Sequence, residues 1–358
     1  MPGTSLTGAL REPIALPPNL LHRFYRAGGP LASFRGAATE TEDDRPEDWV
    51  GSATRAWTPT GAPPSRLGLS EVEVAGRRTT LEELLRLAPE DVAGKALVQA
   101  AGSTLGVLVK LLDAGQRLPV HCHPSRPLAR QLLGSRFGKT EAWLILATEE
   151  GKQPRVWAGL REEVPRDEWR GWIEEQDNDA LLGALVEEPV SAGDVFFIPG
   201  GTPHAIGEGV FLLELQEPTD FSVVAETRGF PIDDSDASLG LGWERAIGFF
   251  DLRPAGSLRR QPSPQSAGVS SLFGREADPF FRALRVRVEG QVEVPFEPAY
   301  AVAVVLAGSG VVRGASTELE LGRGITFALP AAAVQAARVA GDGLDIVWCL
   351  GPDPAALP

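Results

Sequence analysis

The sequence predicts a mainly β protein in which a small jelly-roll barrel with helical insertions precedes a second, C-terminal β-sandwich. Forty glycines and thirty prolines break the 358 residues into short segments, as is typical of strand-rich chains. Two glycine-led segments, 115–123 and 193–204, each indicate a turn and a strand that lead to a histidine. Residues 281–288 alternate in polarity as a half-buried strand does. A chain of this length is expected to form two or three domains.

The two glycine-led segments carry three of the four histidines in the chain. In the first, the two-residue period of a strand puts His121 and His123 on one face and Cys122 on the other. In the second, the apolar strand Val195–Ile198 precedes a proline-glycine bend that presents His204. Each histidine alone could be a hydrogen-bonded barrel residue, but the three together favour a metal site. The segments resemble the two cupin motifs, which predicts a cupin barrel.

Glu141 is the predicted fourth metal ligand. Residues 126–134 indicate an inserted helix, because Pro127 suits its first turn and Gly134 suits its C-terminal cap. The next apolar segment is a strand that Glu141 opens. If Glu141 faces inward, the residues two and four positions later share its side of the sheet.

A longer set of residues resembles the class I mannose-6-phosphate isomerases, which are zinc-dependent cupin enzymes of sugar metabolism. The matching segments lie between residues 10 and 250: 108–114, 123–124, 138–143, 193–205, 213–216 and, more weakly, 47–52. The resemblance implies that His123, Glu141 and His204 are zinc ligands. His121 stands where the family usually has glutamine, and it joins the predicted ligand set. Because three histidines and one glutamate also suit manganese and iron, Mn or Fe stays open beside Zn.

The same resemblance implies roles around the metal. Lys139 and Glu214 are expected to be catalytic, and Lys110, Trp49 and Ser52 to bind substrate. Only four lysines stand against thirty arginines, and two of the four fall at these places. This usage indicates a demand for a compact ammonium group in the pocket.

One position departs from the family. The family has an arginine ten residues after the glutamate, where this chain has Val224. Arg228 is near in sequence, but four residues of strand span roughly 13 Å. We therefore do not expect Arg228 to substitute directly for the missing arginine.

The implied reaction interconverts an aldose phosphate and a ketose phosphate through an enediol. A divalent metal polarises the sugar oxygens, and an acid/base pair moves a proton between neighbouring carbons. The leading interpretation is a zinc-dependent aldose-ketose isomerase acting on mannose 6-phosphate and fructose 6-phosphate. Two alternatives stay open: a Mn or Fe cupin oxidoreductase, favoured by the third imidazole, and a non-catalytic metal-containing cupin that binds sugar phosphates, favoured by Val224.

The net charge limits the classes of molecule that the chain is expected to bind. A formal net charge of −14 argues against nucleic acid and anionic membranes. A sugar phosphate needs local positive charge from the metal, from the two lysines, or from Arg126, Arg130 and Arg136 on the inserted segment. Arg126 and Arg130 share one face of the predicted helix. The alternative to a role in the pocket is that this face is a solvated basic surface.

Location and assembly follow from the remaining composition. No apolar run approaches the roughly twenty residues of a membrane helix, and residues 1–8 lack the features of a signal peptide. Cys122 and Cys349 form no disulfide framework. We expect a cytoplasmic protein without membrane contact, as a monomer or a small homo-oligomer.

The predicted division of the chain is as follows. Residues 1–252 form the metal-binding cupin domain with helical insertions near 78–90, 126–134 and 165–186, residues 253–271 are a linker, and residues 272–358 form a C-terminal β-sandwich or cupin-like domain without metal ligands. Further strands are predicted near 302–306, 325–329 and 344–350, while residues 331–337 are ambiguous.

Two insertions show helix signals of their own. Thr80 and Glu83 form a capping box, and Pro89 ends the helix that follows. Residues 166–185 have apolar residues at helical spacing, and Trp169 and Trp172 among them are expected to be core rather than a sugar platform.

Overall fold

The computed structural model of the protein describes residues 6–37, 44–58, 65–266 and 268–357. Residues 1–5, part of the N-terminal segment predicted to lack signal-peptide features, lie outside the described residues. The α-helices of the described residues are α1 (Leu6–Ala9), α2 (Pro30–Phe34), α3 (Leu81–Leu87), α4 (Pro89–Ala93), α5 (Lys95–Ala101), α6 (Arg126–Leu133), α7 (Arg166–Glu175), α8 (Asn178–Gly183), α9 (Asp234–Ala237) and α10 (Trp243–Ala246). Across the described ranges, no helix has the length and apolar character needed to span a membrane.

Strands make up most of the regular structure. They are β1 (Ile14–Ala15), β2 (Leu20–Leu21), β3 (Glu47–Val50), β4 (Glu71–Val74), β5 (Arg77–Thr80), β6 (Leu108–Ala114), β7 (His121–Cys122), β8 (Glu141–Thr148), β9 (Arg155–Leu160), β10 (Leu185–Pro189), β11 (Val195–Ile198), β12 (His204–Ile206), β13 (Val210–Gln216), β14 (Val223–Val224), β15 (Arg259–Arg260), β16 (Ser263–Ser266), β17 (Val269–Ser271), β18 (Arg282–Glu293), β19 (Ala301–Arg313), β20 (Glu318–Gly322), β21 (Thr326–Leu329) and β22 (Arg338–Leu350). The predicted mainly β class is confirmed.

Antiparallel pairing groups the strands into three large sheets and the hairpin β4–β5. The five-stranded sheet has the order β10-β9-β12-β7-β14, and the seven-stranded sheet has the order β15-β11-β8-β13-β6-β3-β2. The eight-stranded sheet runs β1-β21-β19-β22-β18-β17-β16, with β20 paired to β19. Within the described ranges these pairings form separate sheets, and closure of a barrel is not seen.

The seven-stranded sheet is the middle layer of the molecule. One face packs against the five-stranded sheet, where Trp143 and Leu212 share an apolar cluster with Val156 and Ile206. The other face packs against the eight-stranded sheet, where residues such as Leu213 join the cluster that includes Val304 and Val347. Apolar side chains on both faces of a strand produce continuous burial, as β13 shows over its whole length. The polar groups of the candidate site therefore lie inside the protein.

The C-terminal strands follow the sequence pattern, and three of them extend further than predicted. The segment predicted near 281–288 is β18, and those near 302–306, 325–329 and 344–350 are β19, β21 and β22. The ambiguous run contains a short 3₁₀ helix, Ala331–Ala333. The segment predicted as a linker contains β15, β16 and β17, and β1 from the N-terminal part pairs with β21. The division into domains stays a prediction, but its two parts share hydrogen-bonded strands.

The helical insertions lie near the predicted places with different bounds: Arg77–Thr80 is a strand, β5, and α4 and α5 continue the first insertion from Pro89 to Ala101. The Thr80 hydroxyl accepts the Glu83 amide at the start of α3, and Gly134 ends α6 in the left-handed conformation. The predicted helix over 166–185 is two helices, because Gln176 adopts a left-handed φ of 54° and Asp177 begins a new cap. Trp169 is fully buried in an apolar cluster beside the five-stranded sheet, as a core role predicts.

Glu217 fixes the entry of β8, the strand that Glu141 opens. Its buried carboxylate accepts hydrogen bonds from the Thr140 amide at 3.0 Å, the Gly138 amide at 3.3 Å and Arg126 Nε at 2.6 Å. Arg126 also donates to a backbone carbonyl and stacks on an aromatic ring. One carboxylate thus ties α6 to the backbone that carries the candidate site.

Replacing Glu217 by Ala should lower the free energy of unfolding by about 3 kcal/mol, because Arg126 and two amides lose a buried partner. Equilibrium urea denaturation measures this change. Glu318→Ala, which removes an exposed partner of Arg313, is the control and should change stability little. Equal stability losses in the two variants would contradict the role given to Glu217.

Candidate functional site

Three of the four histidines meet between the five-stranded and seven-stranded sheets. His204 in β12 pairs directly with His121 in β7, and His123 follows two residues later. All three are buried, their ring centroids lie 4.2 to 5.0 Å apart, and one ligand atom from each lies within 4.8 Å of the others. Cys122 points into the apolar cluster behind the sheet, as the strand period predicts. The fourth histidine, His22, is exposed and pairs with Asp44.

Backbone carbonyls orient the three imidazoles. Nδ1 of His121, His123 and His204 each lies 2.8 Å from a backbone oxygen, those of Pro119, Phe221 and Thr202. A carbonyl only accepts, so each Nδ1 carries the proton and each Nε2 keeps a lone pair. Burial, followed by neighbouring positive charge, lowers the pKa of His121 well below its usual value and that of His123 to about 3. Neutral rings with a carbonyl on Nδ1 are what a histidine metal site requires.

Glu141 completes the cluster from the opposite sheet. One of its oxygens lies 2.9 Å from His123 Nε2 and the other 3.3 Å from His204 Nε2. Trp143 and Ile145 share its side of the sheet as predicted, and Trp143 Nε1 donates to Glu141 at 3.0 Å. Burial raises the pKa of Glu141, but the neighbouring imidazole of His123 and the ammonium of Lys139 outweigh it and hold the pKa well below its usual range.

The donor set fits a metal ion. Glu141 Oε2 and His204 Nε2 are buried and have no hydrogen-bond partner among the described residues. Buried polar atoms are normally paired, so these two acceptors suit a bound cation. The buried group of His121, His123 and His204 could therefore hold a metal ion, with Glu141 adjacent.

Lys139 lies against the same cluster. Its Nζ is 2.8 Å from His123 Nε2 and 3.6 Å from Glu141. Burial and the neighbouring charge of Lys110 lower the pKa of Lys139. A buried ammonium with a lowered pKa is suited to donating hydrogen bonds or a proton to a bound substrate.

A second polar group lies beside the histidines on the seven-stranded sheet. Lys110 in β6 pairs in register with Glu214 in β13, and Lys110 Nζ lies 3.2 Å from Glu214 and 3.5 Å from Glu47. Burial raises the pKa of Glu214 to about 7, although the charge of Lys110 opposes the shift. Burial lowers the pKa of Lys110, but Glu214 and Glu47 outweigh this and raise it above its usual value. Glu214 is thus a carboxyl group that can gain or lose a proton near neutral pH.

Arg23, Tyr25 and Asp220 also line the cavity, and the sequence analysis missed them. Arg23 pairs with Asp220 at 2.7 Å and with Glu47 at 2.9 Å, while the Tyr25 hydroxyl donates to Glu47 at 2.6 Å. Arg23 and Tyr25 precede the glycine-led segments by some ninety residues and reach the cavity because β2 pairs with β3. No local motif marks these residues. The observation that could have found them is that β3, the partner of β2, pairs with β6.

Trp49 and Ser52 are not among the residues that line the cavity. The Trp49 ring is fully buried beneath Arg23 and Lys110, and its Nε1 donates to Glu47 at 2.7 Å. The Ser52 hydroxyl bonds the backbone of Thr54. Both predicted substrate-binding residues therefore lie behind the wall, where Trp49 supports the charged groups in front of it.

The arginines of the inserted segment do not line the cavity either. Arg126 is held by Glu217, Arg130 is exposed, and Arg136 donates to the Ala101 carbonyl. Arg228 donates to a backbone carbonyl at the end of α7. The three arginines of the inserted segment therefore supply no positive charge to the cavity lining.

The site opens into a cavity of about 200 Å³. Its lining contains His121, His123, Arg23, the two lysines and the carboxylates Glu47, Glu141, Glu214 and Asp220, together with Trp57, Val224, Ile232 and Leu239. A small polar molecule could contact the metal-ligand cluster, Lys139 and Glu214 at once. This arrangement can polarise an oxygen and move a proton.

Comparison with known proteins places these features in a family. No family model matches the sequence. The chain is 32% identical over 231 residues to the mannose-6-phosphate isomerase of Streptococcus mutans, across 64% of this chain and 69% of that protein. Its fold is similar to the mannose 6-phosphate isomerase from Bacillus subtilis, with a TM-score of 0.72 and 21% identity over 94% of this chain and 99% of that chain. A variant of phosphomannose isomerase from Salmonella typhimurium gives a TM-score of 0.72 at 15% identity over 95% of this chain and 100% of that chain. The chain belongs to the mannose-6-phosphate isomerase family of aldose-ketose isomerases.

Proposed function

We propose that this protein is a metal-dependent isomerase that interconverts mannose 6-phosphate and fructose 6-phosphate. The observation that carries the proposal is that three buried imidazoles lie together beside Glu141, and that His121, His123, Glu141, Lys139 and Glu214 line one cavity. The family relationship supplies the substrate, since the Streptococcus mutans relative is a mannose-6-phosphate isomerase.

His121, His123, Glu141 and His204 are the proposed metal ligands. Zinc is the first choice, and manganese or iron suits the same nitrogen and oxygen donors. When bound, the metal supplies a Lewis acid that polarises the carbonyl or hydroxyl oxygens of the sugar and stabilises the charge of the enediol. The oriented lone pairs and the unpaired Glu141 oxygen support this ligand set.

Glu214 and Lys139 are the proposed proton-handling groups. The reaction removes a proton from the carbon beside the carbonyl of the open-chain sugar and returns it to the neighbouring carbon. A carboxylate whose pKa is about 7 can take and return that proton at neutral pH, and Lys110 at 3.2 Å holds the carboxylate in place. Lys139 donates hydrogen bonds to the substrate oxygens whose charge changes during the transfer.

We infer that residues 1–252 are the metal-binding cupin domain and residues 272–358 a C-terminal β-sandwich or cupin-like domain. Two sheets that face each other across a shared apolar cluster, with the histidines between them, support a cupin arrangement. The C-terminal part has no histidine, so its contribution is to cover the middle sheet.

Removing a proposed ligand should abolish stoichiometric metal binding. His204→Ala and Glu141→Ala should each weaken affinity by more than the roughly 10–100-fold that loss of an outer-shell partner costs. Elemental analysis after dialysis measures the metal content. Cys122→Ala is the matched control, because Cys122 lies on the same strand as His121 but points away, and it should keep the metal. Stoichiometric metal in Glu141→Ala would refute that ligand.

A coupled assay for fructose 6-phosphate formed from mannose 6-phosphate tests the proposed reaction. The metal-loaded protein should turn over, and Lys139→Ala should lower kcat by about 10²–10⁴-fold through lost proton and charge handling. Lys152→Ala, which changes an exposed lysine paired with Glu208, should leave kcat unchanged. Binding of mannose 6-phosphate without turnover would favour a non-catalytic binding protein, and oxygen consumption would favour the oxidoreductase.

The raised pKa of Glu214 predicts a pH-dependent stability. The folded protein holds this proton up to about pH 7, whereas an unfolded glutamate releases it near its usual pKa of 4.5. The stabilisation from the protonated form is therefore lost as pH rises through 7. Glu214→Gln should remove this loss, so the stability of the metal-free variant relative to wild type should rise between pH 5 and 8 by about 3 kcal/mol at most. Urea denaturation at both pH values measures it, and a constant difference would contradict the shift.

A further inference from the structure

Strand β7, which carries His121, is too short for strand pairing alone to hold it firmly. It has two residues and lies between β12 and the edge strand β14 of the five-stranded sheet. Among the described residues, one pair, His121 with His204, joins it to β12, and two pairs join it to β14. A two-residue strand makes few ladder hydrogen bonds, so the position of its side chains depends on how the preceding residues are held.

The carboxylate of Glu226 holds the residue directly before His121. Glu226 is 1% exposed, and one of its oxygens accepts a hydrogen bond from the Val120 amide at 2.9 Å. The Val120 carbonyl in turn accepts hydrogen bonds from the amides of Ala225 at 2.9 Å and Glu226 at 3.1 Å. Both polar groups of the Val120 backbone are therefore bonded to residues 225 and 226.

Arg117 ties the same carboxylate to the start of this segment. Its two terminal nitrogens donate to the two oxygens of Glu226, and one of these nitrogens also donates to the Leu118 carbonyl at 3.0 Å. A bidentate pair between a guanidinium and a carboxylate fixes the orientation of the carboxylate as well as its position. The Leu118 amide donates to the Ile206 carbonyl on β12 at 2.8 Å, so segment 117–121 is held from both sides.

The imidazole of His121 depends on this segment more directly than that of His123 does. Nδ1 of His121 donates to the Pro119 carbonyl, two residues earlier, at 2.8 Å. Nδ1 of His123 donates to the carbonyl of Phe221, which belongs to a distant segment of the chain. An imidazole has few rotatable bonds, so fixing Pro119 and Val120 fixes the ring of His121 as well as its backbone. Zinc–nitrogen bonds are about 2.0–2.1 Å long, and a ring displaced from that distance binds the metal less tightly.

We propose that Glu226 is a positioning residue for the metal site, and that it acts through the Val120 backbone on His121. The proposal rests on the ligand set given under the proposed function. In the described ranges, neither Glu226 nor Arg117 lines the cavity, so their effect on the metal is transmitted by the backbone of segment 117–121. Removing the carboxylate leaves His121 in place but frees the strand that carries it.

The test measures the Zn²⁺ affinity of the full-length protein by titration in competition with a chelator. Glu226→Ala should weaken the affinity about 10–100-fold, which is the loss typical of an outer-shell partner. Asp345→Ala is the matched control, because it removes the carboxylate partner of Arg285 in the eight-stranded sheet, and Arg285 and Arg117 are each 29% exposed. The control should keep the wild-type affinity. Wild-type affinity in folded Glu226→Ala would overturn the proposal.

A double-mutant cycle separates an effect through His121 from a general loss of stability. In the His121→Ala background, Glu226→Ala should weaken Zn²⁺ affinity by less than about twofold, because the ring that Glu226 positions is absent. Titration to Zn²⁺ concentrations that saturate each variant makes the weaker affinities measurable. The same 10–100-fold loss in both backgrounds would show that Glu226 does not act through His121 and would overturn the proposal.

Glu226→Gln keeps the test decisive if Glu226→Ala does not fold, and circular dichroism establishes the fold of each variant. The glutamine oxygen can still accept the Val120 amide, but the charged pair with Arg117 is lost, so the affinity should fall by less than in Glu226→Ala while staying below wild type. Wild-type affinity in this variant would count against the proposal. The titration needs no turnover, so protein that binds Zn²⁺ without isomerase activity would refute the proposed reaction and leave this inference standing. Wild-type protein that binds no Zn²⁺ would overturn the ligand set and this inference together.

Discussion

The geometry of the site depends on one constraint: three imidazoles and the Glu141 carboxylate are buried together, and buried polar groups need partners. Backbone carbonyls satisfy the Nδ1 protons of His121, His123 and His204, which fixes the rings and leaves their Nε2 lone pairs directed inward. Glu141 approaches from the opposing sheet, held by Trp143. The pairing of β12 with β7 and the packing between the two sheets are both needed for these atoms to meet.

A second consequence of burial is the chain of charges behind the histidines. Glu47 accepts hydrogen bonds from Arg23, Tyr25 and Trp49, and it lies near Lys110 as well. Charges removed from water are tolerable only when they are paired, so each cation in this wall is matched by a carboxylate. Burial also gives Glu214 its near-neutral pKa, because burial raises the pKa further than the charge of Lys110 lowers it.

Local patterns in the sequence predict much of this arrangement. The strand Val195–Ile198, the opposite faces of His121 and Cys122, and Glu141 at the start of β8 all follow from two-residue periodicity and turn residues. Arg23 escaped prediction because it reaches the cavity through strand pairing between distant segments. Local periodicity also misses the break at Gln176, since a left-handed residue other than glycine carries no clear signal.

The position of Lys139 links metal binding to substrate binding. Its Nζ lies 2.8 Å from His123 Nε2, which is also a proposed metal donor. A nitrogen lone pair binds one partner at a time, so the ammonium and a metal ion cannot both occupy that lone pair. A cation at the ligand cluster would also repel the ammonium. Lys139 would then turn toward the cavity while Glu141, 3.6 Å away, keeps it near the cluster. In the proposed mechanism, Lys139 would then be presented to the sugar when the imidazoles have another partner, which would couple loading of the site to catalysis.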